Sequence, residues 1–78
     1  MDIELKLVDP SRNRYRHYAI TETITLFCEP CLVITWGRIG RRCRIRTEVF
    51  ATREDLALRR DELLVLERRR QHGYVTVE

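Results

Sequence analysis

The residues best equipped for chemistry lie in Trp36-Gly37-Arg38-Ile39-Gly40-Arg41-Arg42, which holds the only tryptophan and two of the three glycines. From Arg38 to Arg46 there are five arginines and no acid. A tryptophan beside a glycine offers a flat apolar ring over accessible backbone, and guanidinium forks match pairs of phosphate oxygens. Together they suit a nucleic-acid backbone. Each feature also has a plainer reading: a large ring is usually well covered, and a cluster of arginines can be a solvated strand face. Five cations on one hairpin with no intervening acid are denser than solubility needs, which favours contact with phosphate.

Other candidate chemistry is weaker. Cys28-x-x-Cys31 with Cys43 invites a zinc reading, but structural zinc takes four ligands and only His17 or His72 could complete the set, neither at the usual paired spacing. Three free, mostly packed thiols are expected, with no metal and no cofactor. Gly37-x-x-Gly40 is not followed by Gly-Lys-Ser/Thr and opens no helix, so it is no phosphate loop of the nucleotide-binding type. Ser11 is the only serine. The paired acids Glu54/Asp55 and Asp61/Glu62 fall in a helical pattern where capping and solvation already employ them. An enzyme is not expected.

Seventy-eight residues with a net charge of +3 make one domain, 1–78, too small for a deep catalytic cavity. No apolar run approaches the roughly 18 residues of a membrane span, so no membrane contact is expected. The acidic, alternating start Met1-Asp2-Ile3-Glu4 is unlike a signal peptide, which places the protein in the cytoplasm. Fourteen of the fifteen basic residues are arginine. That bias fits forked contacts to phosphate or carboxylate, and equally an arginine-rich genome.

The elements that must position the cluster are mostly strands. Ile3, Leu5 and Leu7 alternate with Glu4 and Lys6 until Asp9-Pro10-Ser11 breaks the pattern. Arg12, Arg14 and Arg16 share a face if pairing has already resumed there. From about Tyr15 to Phe27 the even positions Tyr18, Ile20, Ile24 and Leu26 are apolar, and Glu22 among them suggests a bulge or an edge. Cys28-Glu29-Pro30-Cys31 reads as the reversal, Leu32 to Trp36 as a third strand, and Cys43 to Val49 as a fourth with its apolar residues covered. Thr52-Arg53-Glu54-Asp55 starts a helix that Gly73 ends. Leu56, Ala57, Leu63 and Leu64 form its inner sector, and Leu58 and Val65 a smaller stripe on the far side. Tyr74 to Val77 alternates once more. The result is an α+β fold, an antiparallel sheet of four to five strands with one α-helix packed across one face.

Register decides the tryptophan's surroundings. A two-residue loop, Gly40-Arg41, pairs Arg38 with Cys43 and puts Trp36 beside Ile45 on the covered face. The longer, three-residue loop, Gly40-Arg41-Arg42, pairs Ile39 with Cys43, and Trp36 then joins Arg38, Arg44 and Arg46 on the open face, because a one-residue slip exchanges faces.

Trp36-Gly37-Arg38-Ile39-Gly40, set about forty residues before Gly73-Tyr74, resembles the signature of the WGR domain. Upstream, Asn13 and Arg16-His17-Tyr18-Ala19-Ile20 resemble the basic, aromatic lead into that family's second strand. The likeness runs from about Glu4 to Tyr74. WGR domains occur in poly(ADP-ribose) polymerases that sense DNA breaks, in bacterial regulators and as small stand-alone bacterial proteins. The resemblance implies an antiparallel sheet with one helix, a signature Trp (here Trp36) that packs on the sugar-phosphate end of a broken strand, and a signature Arg (here Arg38) that contacts DNA or a neighbouring domain. It favours the longer loop and an exposed ring. Arg42-Cys43 departs from the small residue often found after the second glycine, and these 78 residues themselves hold no polymerase domain.

The expected nucleic-acid-binding residues are therefore Trp36, Gly37, Arg38, Arg41, Arg42, Arg44 and Arg46, with DNA ahead of RNA. The competing expectation is a protein partner or homodimer, held through the basic face or the Leu58/Val65 stripe.

Overall fold

A computed structural model describes residues 2–70 and 73–77. Strand β1 (Asp2–Asp9) leads through a 3-10 turn (Pro10–Arg12) into β2 (Arg14–Ile24), then β3 (Pro30–Arg38), β4 (Arg44–Val49), helix α1 (Arg53–Arg70) and the short β5 (Val75–Val77). All pairings are antiparallel, in the order β4-β3-β2-β1-β5. The α+β class and the helix across one face are as the sequence pattern requires. Among the described residues no helix is long and apolar enough to cross a membrane.

Alternation in β1, β2 and β3 sends Leu5, Tyr18, Ile20, Leu32 and Ile34 to one face, where Leu56 and Leu63 of α1 close over them. Ala57 and Leu64 flank these two on the half-buried margin of the helix, while Leu58 (71% exposed) and Val65 (49%) point away, as their spacing predicts. Thr52 caps α1, its Oγ1 accepting the Asp55 N–H at 3.2 Å.

Three local expectations need correction. Glu22 causes no bulge: the β2–β3 ladder runs unbroken through Glu22↔Leu32, and the carboxylate pairs instead with Arg60 of the helix. Its lone charge on the apolar face is thus an inter-element ion pair. The reversal between β2 and β3 lies earlier than Cys28–Cys31, at Thr25–Glu29, where Thr25 and Glu29 close the loop (N···O 3.0 Å) and Pro30 already pairs with Ile24. Leu26 and Phe27 therefore sit on the tip and not in the strand.

The third correction concerns β4. Its register pairs Trp36 with Arg44, Thr35 with Ile45 and Ile34 with Arg46, so Arg44, Arg46 and Glu48 face the helix side. Ile45 (68% exposed) and Val49 (51%) lie on the open face. What α1 presents toward this edge is Arg59, a cation, and the partner it meets is Glu48 (Nε···Oε1 2.9 Å), which also holds Arg46 (Nη2···Oε2 3.0 Å). An edge strand facing a charged helix flank is satisfied by an acid there, and its apolar residues take the other side.

Glu48 offers a direct test. The bond from Arg59 draws its pKa below the ordinary value, against partial burial, which pushes it up. A carboxyl that titrates lower when folded stabilises fully above its unfolded pKa of about 4.3, and the contribution is lost as pH falls through the folded value. With the side chain 23% exposed, Glu48→Gln should cost about 1 kcal/mol in urea unfolding at neutral pH. The difference from wild type should vanish in acid; a deficit that persists undiminished at about pH 2 would show that the ion pair is not its source.

Candidate nucleic-acid interface

Trp36 is carried by β3 to the end of the sheet at which α1 finishes. A Cβ on Gly73, just past the helix, would lie 3.6 Å from Leu7; Leu7 pairs with Arg16, and Arg16 with Arg38. The arginines of the last helical turn, Arg68 to Arg70, thus arrive at the Trp36 end.

Neither of the two registers weighed from sequence is the observed one. β3 and β4 are joined by residues 39–43, and Trp36 stands between Tyr18 on β2 and Arg44 on β4. In phase, Trp36 does join Arg44 and Arg46, as the longer loop required. The face is nonetheless the helix side: the ring is half-buried, packed against the core cluster, with the Arg46 guanidinium 6.0 Å from its centroid. The fully open ring favoured by the resemblance is not what the structure shows. Trp36 is a rim residue, part wall of the core and part surface.

Arg38 is bound to its own chain. One nitrogen donates to the Asn13 carbonyl at 3.1 Å, another to Asn13 Oδ1 at 2.9 Å, and the guanidinium carbon lies 5.1 Å from the Tyr15 ring centroid. Ile39 N–H adds a bond to the Tyr15 carbonyl at 2.9 Å. The turn before β2 and the start of the 39–43 loop are thereby fastened together.

Gly37 and Gly40 shape that loop. A side chain at Gly37 would meet the Arg42 carbonyl at 3.2 Å and Cys43 Cα at 3.4 Å, so the loop folds back over bare backbone. Gly40, at φ +82°, serves the β-turn closed by Arg41 N–H on the Arg38 carbonyl at 3.0 Å. Arg41, Arg42 and Arg44 come out exposed, and none makes an ion pair among the described residues.

The site residues read from sequence therefore fall into three groups. Trp36, Arg44 and Arg46 share one face, Arg41 and Arg42 stand on the loop, and Arg38 with Gly37 shapes it. Sequence reasoning left out Arg16, exposed on the same face and paired in register with Arg38. Its signal was the alternation of Arg14 and Arg16, legible only once β2 is known to begin at Arg14. Asn13 was noted, but not as the acceptor for Arg38.

The nearby tyrosines are structural. Burial raises the pKa of Tyr18, and burial together with a bond donated to Glu67 Oε1 (2.8 Å) raises that of Tyr74. On the open face Glu4 lies 3.2 Å from His17 and 3.7 Å from Lys6, so the basic groups there already share an acid. Arg41, Arg42 and Arg44 have no such acid among the described residues, and an anion is better received beside them.

The three thiols do not converge. Cys31 is buried, but Cys28 and Cys43 are exposed, which corrects the expectation of mostly packed thiols. They flank the two ends of β3, a strand of nine residues, so about 30 Å separates them. Among the described residues no group of three or more His, Cys, Asp or Glu gathers, and His72 lies outside those residues.

Asn13 has φ 53°, a left-handed conformation that asparagine tolerates better than most residues. Asn13→Gly should lose only the Oδ1 bond to Arg38, whereas Asn13→Ala should add backbone strain and cost about 1 kcal/mol more in urea unfolding. Equal losses for the two variants would rule out a strained turn.

The chain matches the WGR domain family over residues 1–78. It is similar to the uncharacterised protein y4dW of Sinorhizobium fredii (strain NBRC 101917 / NGR234), with 39% identity over 67 residues, or 86% of this chain and 32% of that protein. The chain thus spans about a third of the length of this relative. No solved structure matches it. The WGR domain is a non-catalytic module, known in poly(ADP-ribose) polymerases for binding DNA. With the match running the whole length of the chain, and the Trp36-Gly37-Arg38 signature placed on one strand end, the chain belongs to the WGR domain family.

Proposed function

We propose that this chain is a single cytoplasmic module, 1–78, that binds nucleic acid, DNA in preference to RNA, at the rim formed by Trp36 and the 39–43 loop. The observation that carries this reading is the set of three exposed arginines, Arg41, Arg42 and Arg44, without ion-pair partners among the described residues, beside a half-buried tryptophan. Cations left unpaired on a rigid loop retain their full attraction for phosphate. Arg46, shared between Glu48 and the Trp36 ring, and Arg16 extend the same basic strip. Arg38 and Gly37 serve by fixing the loop that presents it.

The division of labour follows from this geometry. Phosphate contacts hold the strand without reading its sequence. The accessible edge of Trp36 supplies an apolar surface for a terminal sugar or an unstacked base, which continuous duplex does not offer. Strand ends or single-stranded character are therefore preferred over closed duplex.

Binding to a short blunt duplex, followed by fluorescence anisotropy across a salt titration, should weaken with a log–log slope of about −0.9 per phosphate neutralised. Replacing Arg42 and Arg44 together by alanine should flatten that slope by about two such units. Because Trp36 also packs on the core, Trp36→Phe is the informative variant, with the thermal melt as a control for folding. It should weaken binding to the short duplex more than to closed circular DNA. Equal loss on both would refute recognition of ends, and no salt-dependent binding at all would favour a protein partner on the basic face.

A further inference from the structure

The end of the molecule opposite Trp36 carries an apolar feature that nucleic-acid binding leaves unused. At the tip of the β2–β3 hairpin Leu26 is 99% exposed and Phe27 85%. Exposed aliphatics are commonplace, but a leucine and a phenylalanine side by side at the summit of a tight turn are not. The tip is held firmly. The Thr25 hydroxyl accepts the N–H of Phe27 and of Glu29, each at 3.2 Å, and the Thr25 carbonyl accepts Cys28 N–H at 2.9 Å. Cys28 takes φ 60°, a left-handed conformation that costs a residue with a side chain about 1–2 kcal/mol. Such a strained, bonded turn presents its two apolar side chains on a fixed backbone, and little backbone freedom remains to be lost on contact.

Beside the tip, between the hairpin stem and the first turn of α1, lies a groove of about 410 Å³. Ile24, Pro30, Leu56 and Ala57 give it apolar walls, and Arg53 and the Glu22–Arg60 pair form its rim. The volume is within the ~300–1,000 Å³ of pockets that enclose drug-sized molecules, ample for a benzyl and an isobutyl group. Tip and groove are neighbours on one end of the chain. That adjacency is what a two-fold contact demands, since each copy must offer both halves of the same patch.

We propose that this end is a self-association surface, in which Leu26 and Phe27 of one copy seat in the groove of a second and receive that copy's tip in return. Charge supports a second copy as occupant. Glu29, at the base of the tip, and Arg53, on the groove rim, make no ion pair within their own chain among the described residues. Two-fold exchange brings each Glu29 toward the other copy's Arg53. In area, two phenylalanines at about 150–250 Å² each, together with two leucines and the groove walls all four cover, total on the order of 1,000 Å². That sits at the lower bound for a specific interface and fits a dimer with micromolar dissociation. The inference does not depend on what binds at Trp36.

Sedimentation of the full chain over a range of about 1 μM to 1 mM should show a shift from the 9.4 kDa monomer to twice that mass. Phe27→Asp, on an exposed turn, should leave the circular dichroism and thermal melt unchanged and weaken the dimer at least tenfold. Glu29→Arg and Arg53→Glu should each weaken it, and the two together should restore it. Leu58→Glu, on the outer face of α1, should leave it intact. A chain that stays monomeric throughout would mean that another protein or a lipid surface covers the tip, and would overturn the proposal. So would a dimer that survives Phe27→Asp or that Leu58→Glu dissolves.

Discussion

One helix has to cover a sheet wider than itself. An α-helix with its side chains is about 10–12 Å across, whereas five strands spaced at about 4.8 Å present a face near 20 Å wide. Helix α1 therefore closes over β2 and β3 and the near side of β1, where the buried residues are found, and leaves a margin uncovered. Much of what is distinctive here sits on that margin. Trp36 is half-buried because it stands where cover ends. Glu48 and Arg46 face the helix side because a flank of α1, not its apolar sector, overlooks β4. The basic strip that could receive phosphate is thus a by-product of incomplete cover, made useful by the residues placed there.

The same constraint explains what could be read from the sequence. Periodicity identified every strand, the helix, its inner sector and its Thr52 cap, because each depends on local chemistry and on a single covered face. Periodicity could not say which face of β4 is covered. Ile45, Thr47 and Val49 alternate with Arg44, Arg46 and Glu48 as neatly as any half-buried strand, and for an interior strand the apolar set would face inward. At an edge the helix's own flank decides, and the identity of Arg59 as the facing residue is a tertiary fact. The register of the 39–43 loop was illegible for a related reason. Hairpin rules favour two or three residues, whereas here the connection is fixed by Gly37 yielding room to Arg42 and by Arg38 reaching across to Asn13. Both are contacts between positions that the local pattern does not connect.

Arg38 shows how a signature residue can matter without facing outward. A guanidinium has five donors in a rigid fork; two are engaged by Asn13 and the plane lies near Tyr15. Lysine could supply the charge but not the fork, so geometry, rather than charge, sets the demand for arginine at this position. The arginines that remain free in direction are Arg41 and Arg42 of the loop and Arg44 of β4, whereas Arg46 is held by Glu48. A basic cluster thereby divides into cations that build the surface and cations that stay unengaged on it. A count of charge along the chain does not distinguish them.

Between the Trp36 rim and the Leu26–Phe27 tip runs β3, bonded on both sides, to β2 along its whole length and to β4 over Cys31 to Trp36. A strand laddered on both flanks behaves as a stiff spacer, because sliding it by one residue would exchange its faces and expose Leu32 and Ile34. The two ends of the molecule, whose longest dimension is 45 Å, are therefore held at a fixed separation and orientation. Contact at one end can place the other but has no soft element through which to reshape it. If both surfaces are used at once, the coupling between them is geometric: two chains joined at their tips would point their basic rims in opposite directions, and two nucleic-acid ends would be held apart, not brought together.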